Sequence, residues 1–176
     1  MTLGFSTKIN GKPNYFPEKI ISALQLEGVI SIEKACELLR DYPLLVDERL
    51  RFIDTYRTAI ENYKPKGHTI RRDEHNRWRA GMDIHPVINN RTRNRFQFAP
   101  VIKCVRVQDY RIGYFPEENY PCPLNNIHVY IDGNVLSDAA VKQLAINDGF
   151  DTVADFFAYF NTDFTGKIIH WTDLKY

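Results

Sequence analysis

The chain has 176 residues, is 44% hydrophobic and 13% aromatic, and carries a formal net charge of +1. That composition excludes a disordered tail, a collagen-like repeat and a disulfide-dense miniprotein. A chain of this size can bury roughly 70% of its unfolded surface and needs no metal or disulfide staple to fold. Cys36, Cys104 and Cys122 form no CxxC or zinc pattern, and His75, His85, His128 and His170 show no metal-ligand spacing; a reducing, cytoplasmic setting with no metal and no cofactor is expected. No apolar run approaches the roughly 18 residues of a membrane span, and the opening MTLGFSTKINGK has no signal-peptide core, so no membrane partner is expected.

In chain order, residues 3–9 alternate and run into Asn10-Gly11, a tight-turn pair, with a short second strand to follow through Asn14 and Tyr15. Pro17 suits the first turn of a helix that stops at Gly28. Ser31 predicts a cap for a second helix, ended before Pro43. A third helix over 46–63 places Leu50, Ile53, Tyr56, Ile60 and Tyr63 on one face. Residues 17–63 therefore read as a helical block between strands.

From Gly67 the texture changes. Residues 68–71, 84–89, 95–98, 101–112 and 127–132 predict short strands, with turns at 89–92 and at Asp132-Gly133 and an irregular proline loop over 113–126. Ser137 predicts the cap of a helix closed by Gly149, and Thr152 caps another with Asp155 in capping-box position. Residues 165–174 predict a last strand. Strands at both ends and helices confined to two blocks argue for α+β: a small, partly open antiparallel barrel with helices covering its ends and its terminal strands paired.

Charge is distributed unevenly. Residues 64–106 hold 11 basic and 3 acidic side chains, net +8, while residues 107–176 are net −6. Arg71, Arg72, Arg77, Arg79, Arg91, Arg93 and Arg95 supply most of the positive field, with no lysine between Lys66 and Lys103. The guanidinium fork grips phosphate and stacks on bases, and Trp78, Phe96 and Phe98 interleave with it, so RNA or a nucleotide is the expected partner. The alternative is a solvated rim neutralised by the acidic C-terminal third.

The stretch KGHTIR (66–71) resembles the Lys-x-x-Thr-x-Arg signature of ASCH domains, a branch of the PUA-like β-barrel superfamily. NRWRAGM (76–82) resembles that family's turn into the second barrel strand, and LAINDGFDTVADFFAYF (144–160) resembles its acidic-Gly-Phe hinge between two short helices. The likeness covers about residues 1–20 and 64–176. The opening GFSTKINGKP and closing FTGKIIHWTDL look like ASCH proteins of phages and mobile elements. The resemblance implies one PUA-like antiparallel barrel domain over 1–176, with a helical insertion at about 21–63.

Some ASCH proteins hydrolyse acetylated cytidine with a lysine, a threonine and a glutamate. Carried over, these are Lys66, Thr69 and Asp148, the last one methylene shorter than the family's glutamate. Thr69 would be the nucleophile, Lys66 the base and Asp148 the acid or orienter. A lysine base needs burial and nearby cations to bring its pKa from ~10.4 towards 7–8. Arg71 and Arg77 would hold phosphate, ribose or the oxyanion, and Lys8, Arg72, Asn76, Trp78 and Phe150 complete the substrate-binding candidates. Trp78 reads as core before it reads as a stacking platform. His68, opposite Thr69 by strand alternation, is expected in a structural or rim position. Two rival readings stand beside it: a non-catalytic RNA or modified-base reader that uses the same cleft, and a phage protein that meets a host or phage partner, or a signalling nucleotide, through helices 17–63.

Overall fold

The computed structural model describes residues 1–43, 48–60, 62–115 and 126–176. Cys122, most of the expected proline loop, the entry to the third helix at 44–47 and the side chain of Ile53 lie outside the described residues. In chain order the elements are β1 (Thr2–Phe5), β2 (Lys8–Ile9), β3 (Lys12–Pro13), α1 (Phe16–Leu26), α2 (Ile32–Asp41), a 3-10 turn (Glu48–Arg51), α3 (Ile53–Ile60) and β4 (His68–Arg71). There follow β5 (Asp83–Ile88), β6 (Phe96–Gln97), β7 (Ile102–Lys103), β8 (Arg106–Tyr114), β9 (Ile127–Ile131), β10 (Asn134–Val135), α4 (Asp138–Asn147), α5 (Val153–Tyr159) and β11 (Phe164–His170). The fold is α+β, and its contacts divide into two units: residues 1–67 with 82–103, and residues 68–81 with 104–176.

In the first unit, Asn10 and Gly11 take φ of 51° and 78° and close the β2–β3 hairpin as the Asn-Gly pair predicts. Pro17 sits in the first turn of α1, and the Ser31 hydroxyl accepts from the Lys34 amide at 3.2 Å to cap α2. Ile20, Ile21, Leu24, Leu39, Leu50 and Tyr56 are fully buried, so the helical block carries its own core. The sheet has order β1-β5-β6, with β7 also on β5. The β1–β5 pair is parallel, with Thr2 opposite His85. All-antiparallel pairing was expected; the helical block between the two strands is the long connection that parallel pairing requires.

The second unit is built on an antiparallel sheet of order β10-β9-β8-β11-β4. Asp132 and Gly133 at φ 50° and 83° turn β9 into β10. Ser137 caps α4, and Thr152 caps α5, accepting from the Asp155 amide at 3.0 Å while donating to its carboxylate at 2.6 Å. Tyr110, Phe150, Phe156, Phe160 and Phe164 form an aromatic core.

Two expectations fail. The predicted strand over 101–112 is split, with β7 in the first unit and β8 in the second. The terminal strands do not pair: β1 lies on β5, whereas β11 lies between β8 and β4. Neither sheet closes on itself among the described residues.

Gly166 is a tight point of the second sheet. A Cβ there would stand 2.4 Å from the carbonyl oxygen of Arg71 and 2.7 Å from the Phe164 ring. Gly166→Ala is expected to destabilise the protein by about 2 kcal/mol, because backbone cannot yield as a flexible side chain does. A denaturant melt checks this, and an unchanged midpoint would mean that β4 shifts freely.

Candidate functional site

The hinge after α4 sets the site. The amide of Asp148 donates to the Leu144 carbonyl at 2.9 Å, that of Gly149 to Ile146 at 2.8 Å, and that of Phe150 to Ala145 at 3.0 Å. Gly149 holds φ of 91°, the left-handed conformation this helix ending requires. The result is a fixed Asp148, only 4% exposed, and a Phe150 side chain turned into the aromatic core against Phe156 and Phe160.

Strand β4 begins at His68, directly after Gly67. In its register with β11, His68 faces His170 and Thr69 faces Ile169. Alternation places His68 and Thr69 on opposite faces of β4. Thr69 is buried, and its hydroxyl makes no hydrogen bond among the described residues. His68 is fully buried rather than on a rim. Its Nδ1 lies 3.7 Å from an Asp148 carboxylate oxygen, and its Nε2 lies 2.7 Å from the Tyr176 phenol oxygen. Asn147 donates to that same phenol oxygen at 2.8 Å and accepts from Gln143 at 2.9 Å. The main chain of Tyr176 is held on Gln108, which also donates to Asp132 at 2.8 Å. This buried polar cluster joins β4, β8, α4 and residue 176 inside the second unit.

Its electrostatics follow from burial. Desolvation pushes the Arg71 guanidinium towards deprotonation, and the Asp148 carboxylate, followed by Tyr159, pushes back. The Tyr110 and Tyr176 phenols are raised well above their ordinary value, first by burial, with Asp148 acting in the same direction. Burial, helped by Arg106 and opposed by Asp132, pushes His170 down to about 4. Both His170 ring nitrogens are buried without a hydrogen bond among the described residues.

The remaining candidates are dispersed. Lys66 is buried in the first unit, its amide donating to the Lys19 carbonyl at 3.0 Å and its ammonium 4.5 Å from the Phe16 ring centroid. Lys8 is exposed on the β2–β3 hairpin. Trp78 is buried, as its core reading expects, and its amide donates to Asp73 at 3.0 Å. Arg77 pairs with Asp73 at 3.5 Å, and Arg72 pairs with Glu74 at 3.9 Å while lying 5.3 Å from the Phe164 ring. Arg72 and Asn76 share a groove of about 430 Å³ with Thr165 and Lys167. On the first unit, Arg91, Arg93 and Arg95 are exposed on the β5–β6 hairpin with no ion pair among the described residues.

Sequence reasoning missed the participation of His68, Asn147 and Tyr176. A histidine facing a histidine across β4–β11 was a signal in principle, but only once the register is known. Among the described residues no group of His, Cys, Asp or Glu is placed to hold a metal, and no helix is long and apolar enough to cross a membrane. No family model, curated protein or solved structure matches the chain.

The His170 environment has a pH consequence. Between about pH 6.5 and 4 the unfolded chain takes up a proton on this ring that the folded chain refuses, so stability contributed here is present above pH 6.5 and falls as pH drops towards 4. His170→Phe is expected to flatten that part of the stability profile. Urea melts at pH 4.5 and 7 check it, and an unaltered slope would show that His170 is not the group responsible.

Proposed function

We propose that the chain is an ASCH-type protein of PUA-like barrel architecture that binds a nucleoside or RNA and removes the acetyl group from acetylated cytidine. The observation that carries the reading is Thr69: a buried strand residue whose hydroxyl makes no hydrogen bond among the described residues, in the chain segment that also holds the buried Lys66 and the half-buried Arg71. A nucleophile must leave its hydroxyl uncommitted until substrate arrives.

In this reading the Thr69 oxygen attacks the acetyl carbonyl carbon while an unprotonated Lys66 takes the hydroxyl proton. Arg71, kept cationic by Asp148, stabilises the oxyanion. The carbon–nitrogen bond then breaks, its electron pair leaves on the exocyclic nitrogen of cytosine, and Lys66 returns the proton there. Water attacks the threonine ester, releases acetate and restores the hydroxyl. Conversion of acetylcytidine to cytidine and acetate, followed by mass spectrometry, tests the reaction. Thr69→Ala and Lys66→Ala should each lower the rate at least about 100-fold, and full activity in either variant excludes the assignment.

A second reading, a non-catalytic RNA or modified-base reader, is favoured by the arginine hairpin. The Thr92 amide and hydroxyl both donate to the Asn89 carbonyl, at 3.1 and 2.8 Å, and the Arg95 amide donates to Thr92 at 3.3 Å, so the loop is ordered by its own bonds. Arg91 holds φ of 66°, an uncommon conformation for a side-chain-bearing residue. Three guanidinium groups with no local acid to neutralise them suit a phosphodiester backbone. Replacing Arg91, Arg93 and Arg95 with glutamine should weaken binding to single-stranded RNA and reduce the salt slope by about 2. Equal slopes for the two proteins would remove the hairpin from the interface. A third reading puts a host or phage protein contact on the helical block, which exposes Leu26 and Phe52.

A further inference from the structure

We infer that the Tyr176 phenol sets the tautomer of His68 and so turns an Nδ1–H towards the Asp148 carboxylate, and that His68 and Tyr176 are positioning residues of the site. This deepens the proposed function and rests on it for the word "site"; the relay itself rests on geometry alone.

The Tyr176 oxygen already accepts from the Asn147 amide at 2.8 Å. The phenol has one proton to give, and the Asn147 group facing it is itself a donor. The His68 Nε2 at 2.7 Å is the acceptor within reach. If the phenol donates to Nε2, the neutral ring carries its proton on Nδ1, the nitrogen turned to the Asp148 carboxylate at 3.7 Å, an electrostatic contact longer than a hydrogen bond. The same ordering, carboxylate to Nδ1 and hydroxyl to Nε2, orients the histidine of hydrolytic triads. Here the terminal hydroxyl is a phenol whose ionisation burial opposes, so it anchors and does not attack.

The carboxylate thus faces the Nδ1–H of His68. Of the two roles open to it, orienter and proton donor to the leaving group, a carboxylate facing a ring N–H suits the first. His68 and Tyr176 touch neither Arg71 nor substrate in this account. They fix where the carboxylate stands.

Histidine-selective nitrogen NMR on the whole chain reads the relay directly. His68, assigned by its loss in His68→Gln, should show the Nδ1–H tautomer. Tyr176→Phe removes the donor to Nε2 and should convert the ring to a mixture or to the Nε2–H form. Kinetically, Tyr176→Phe should lower kcat for acetylcytidine roughly tenfold, the equivalent of one lost hydrogen bond, with KM within about twofold. An Nε2–H ring in the unaltered protein, or a ring and a kcat indifferent to Tyr176→Phe, overturns the inference. If the unaltered protein releases no acetate, the proposed activity fails, and the tautomer of His68 and its response to Tyr176→Phe still decide whether the relay exists. Thermal melts of each variant separate these outcomes from unfolding.

Discussion

A buried carboxylate at the C-terminal end of a helix is the costly feature around which the second unit is arranged. Asp148 caps α4 where the helix dipole already concentrates negative charge, and α4 has no basic residue in its last turn to offset it. With the side chain almost fully withdrawn from water, compensation has to come from another element. Part of it comes from β4, where the ring of His68 stands 3.7 Å from the carboxylate and Asp148 favours the charged form of Arg71 against the burial that opposes it. The strand, the hinge and the chain around Tyr176 are thus energetically one assembly, although they are far apart in sequence.

What could be read from the chain were the features governed by nearest neighbours. Ser31, Ser137 and Thr152 cap the helices they were expected to cap, and Asn10-Gly11 and Asp132-Gly133 make the turns their chemistry demands, because each depends on the φ/ψ preferences and side-chain reach of a few adjacent residues. The split of 101–112 into β7 and β8 was not legible, since both halves alternate well and only their different partners separate them. The pairing of β11 with β4 was likewise a matter of long-range register. His68 illustrates the limit most directly. Alternation correctly set it against Thr69, but its role depends on His170 across the sheet, on the hinge, and on residue 176.

The positive segment resolves into separate populations. Arg72 and Arg77 are answered by Glu74 and Asp73, acids of the segment itself, so the acidic C-terminal third is not what neutralises them. Lys167 of that third finds Asp109 within it. Arg91, Arg93 and Arg95 have no such neighbours; the sequence from 84 to 108 contains no aspartate or glutamate at all. The Arg72–Glu74 pair is exposed on both sides, adds little to stability and keeps its cation available for exchange with a stronger anion, whereas the Asp73 that answers Arg77 is buried. The hairpin arginines need no exchange. A net +8 therefore overstates the field around 71–79 and describes well the field at 91–95.

The length of the acid at position 148 takes on a physical sense in this setting. A glutamate at 148 would carry its oxygens one methylene further from the hinge, and Gly149 leaves that hinge no slack to absorb the difference. The aspartate stops 3.7 Å from an imidazole that β4 supplies from position 68. That ring has an anchor of its own, the Tyr176 phenol. The short carboxylate, the histidine and the tyrosine thus form one arrangement, and removing the phenol alone would cost the buried ring its hydrogen bond at Nε2.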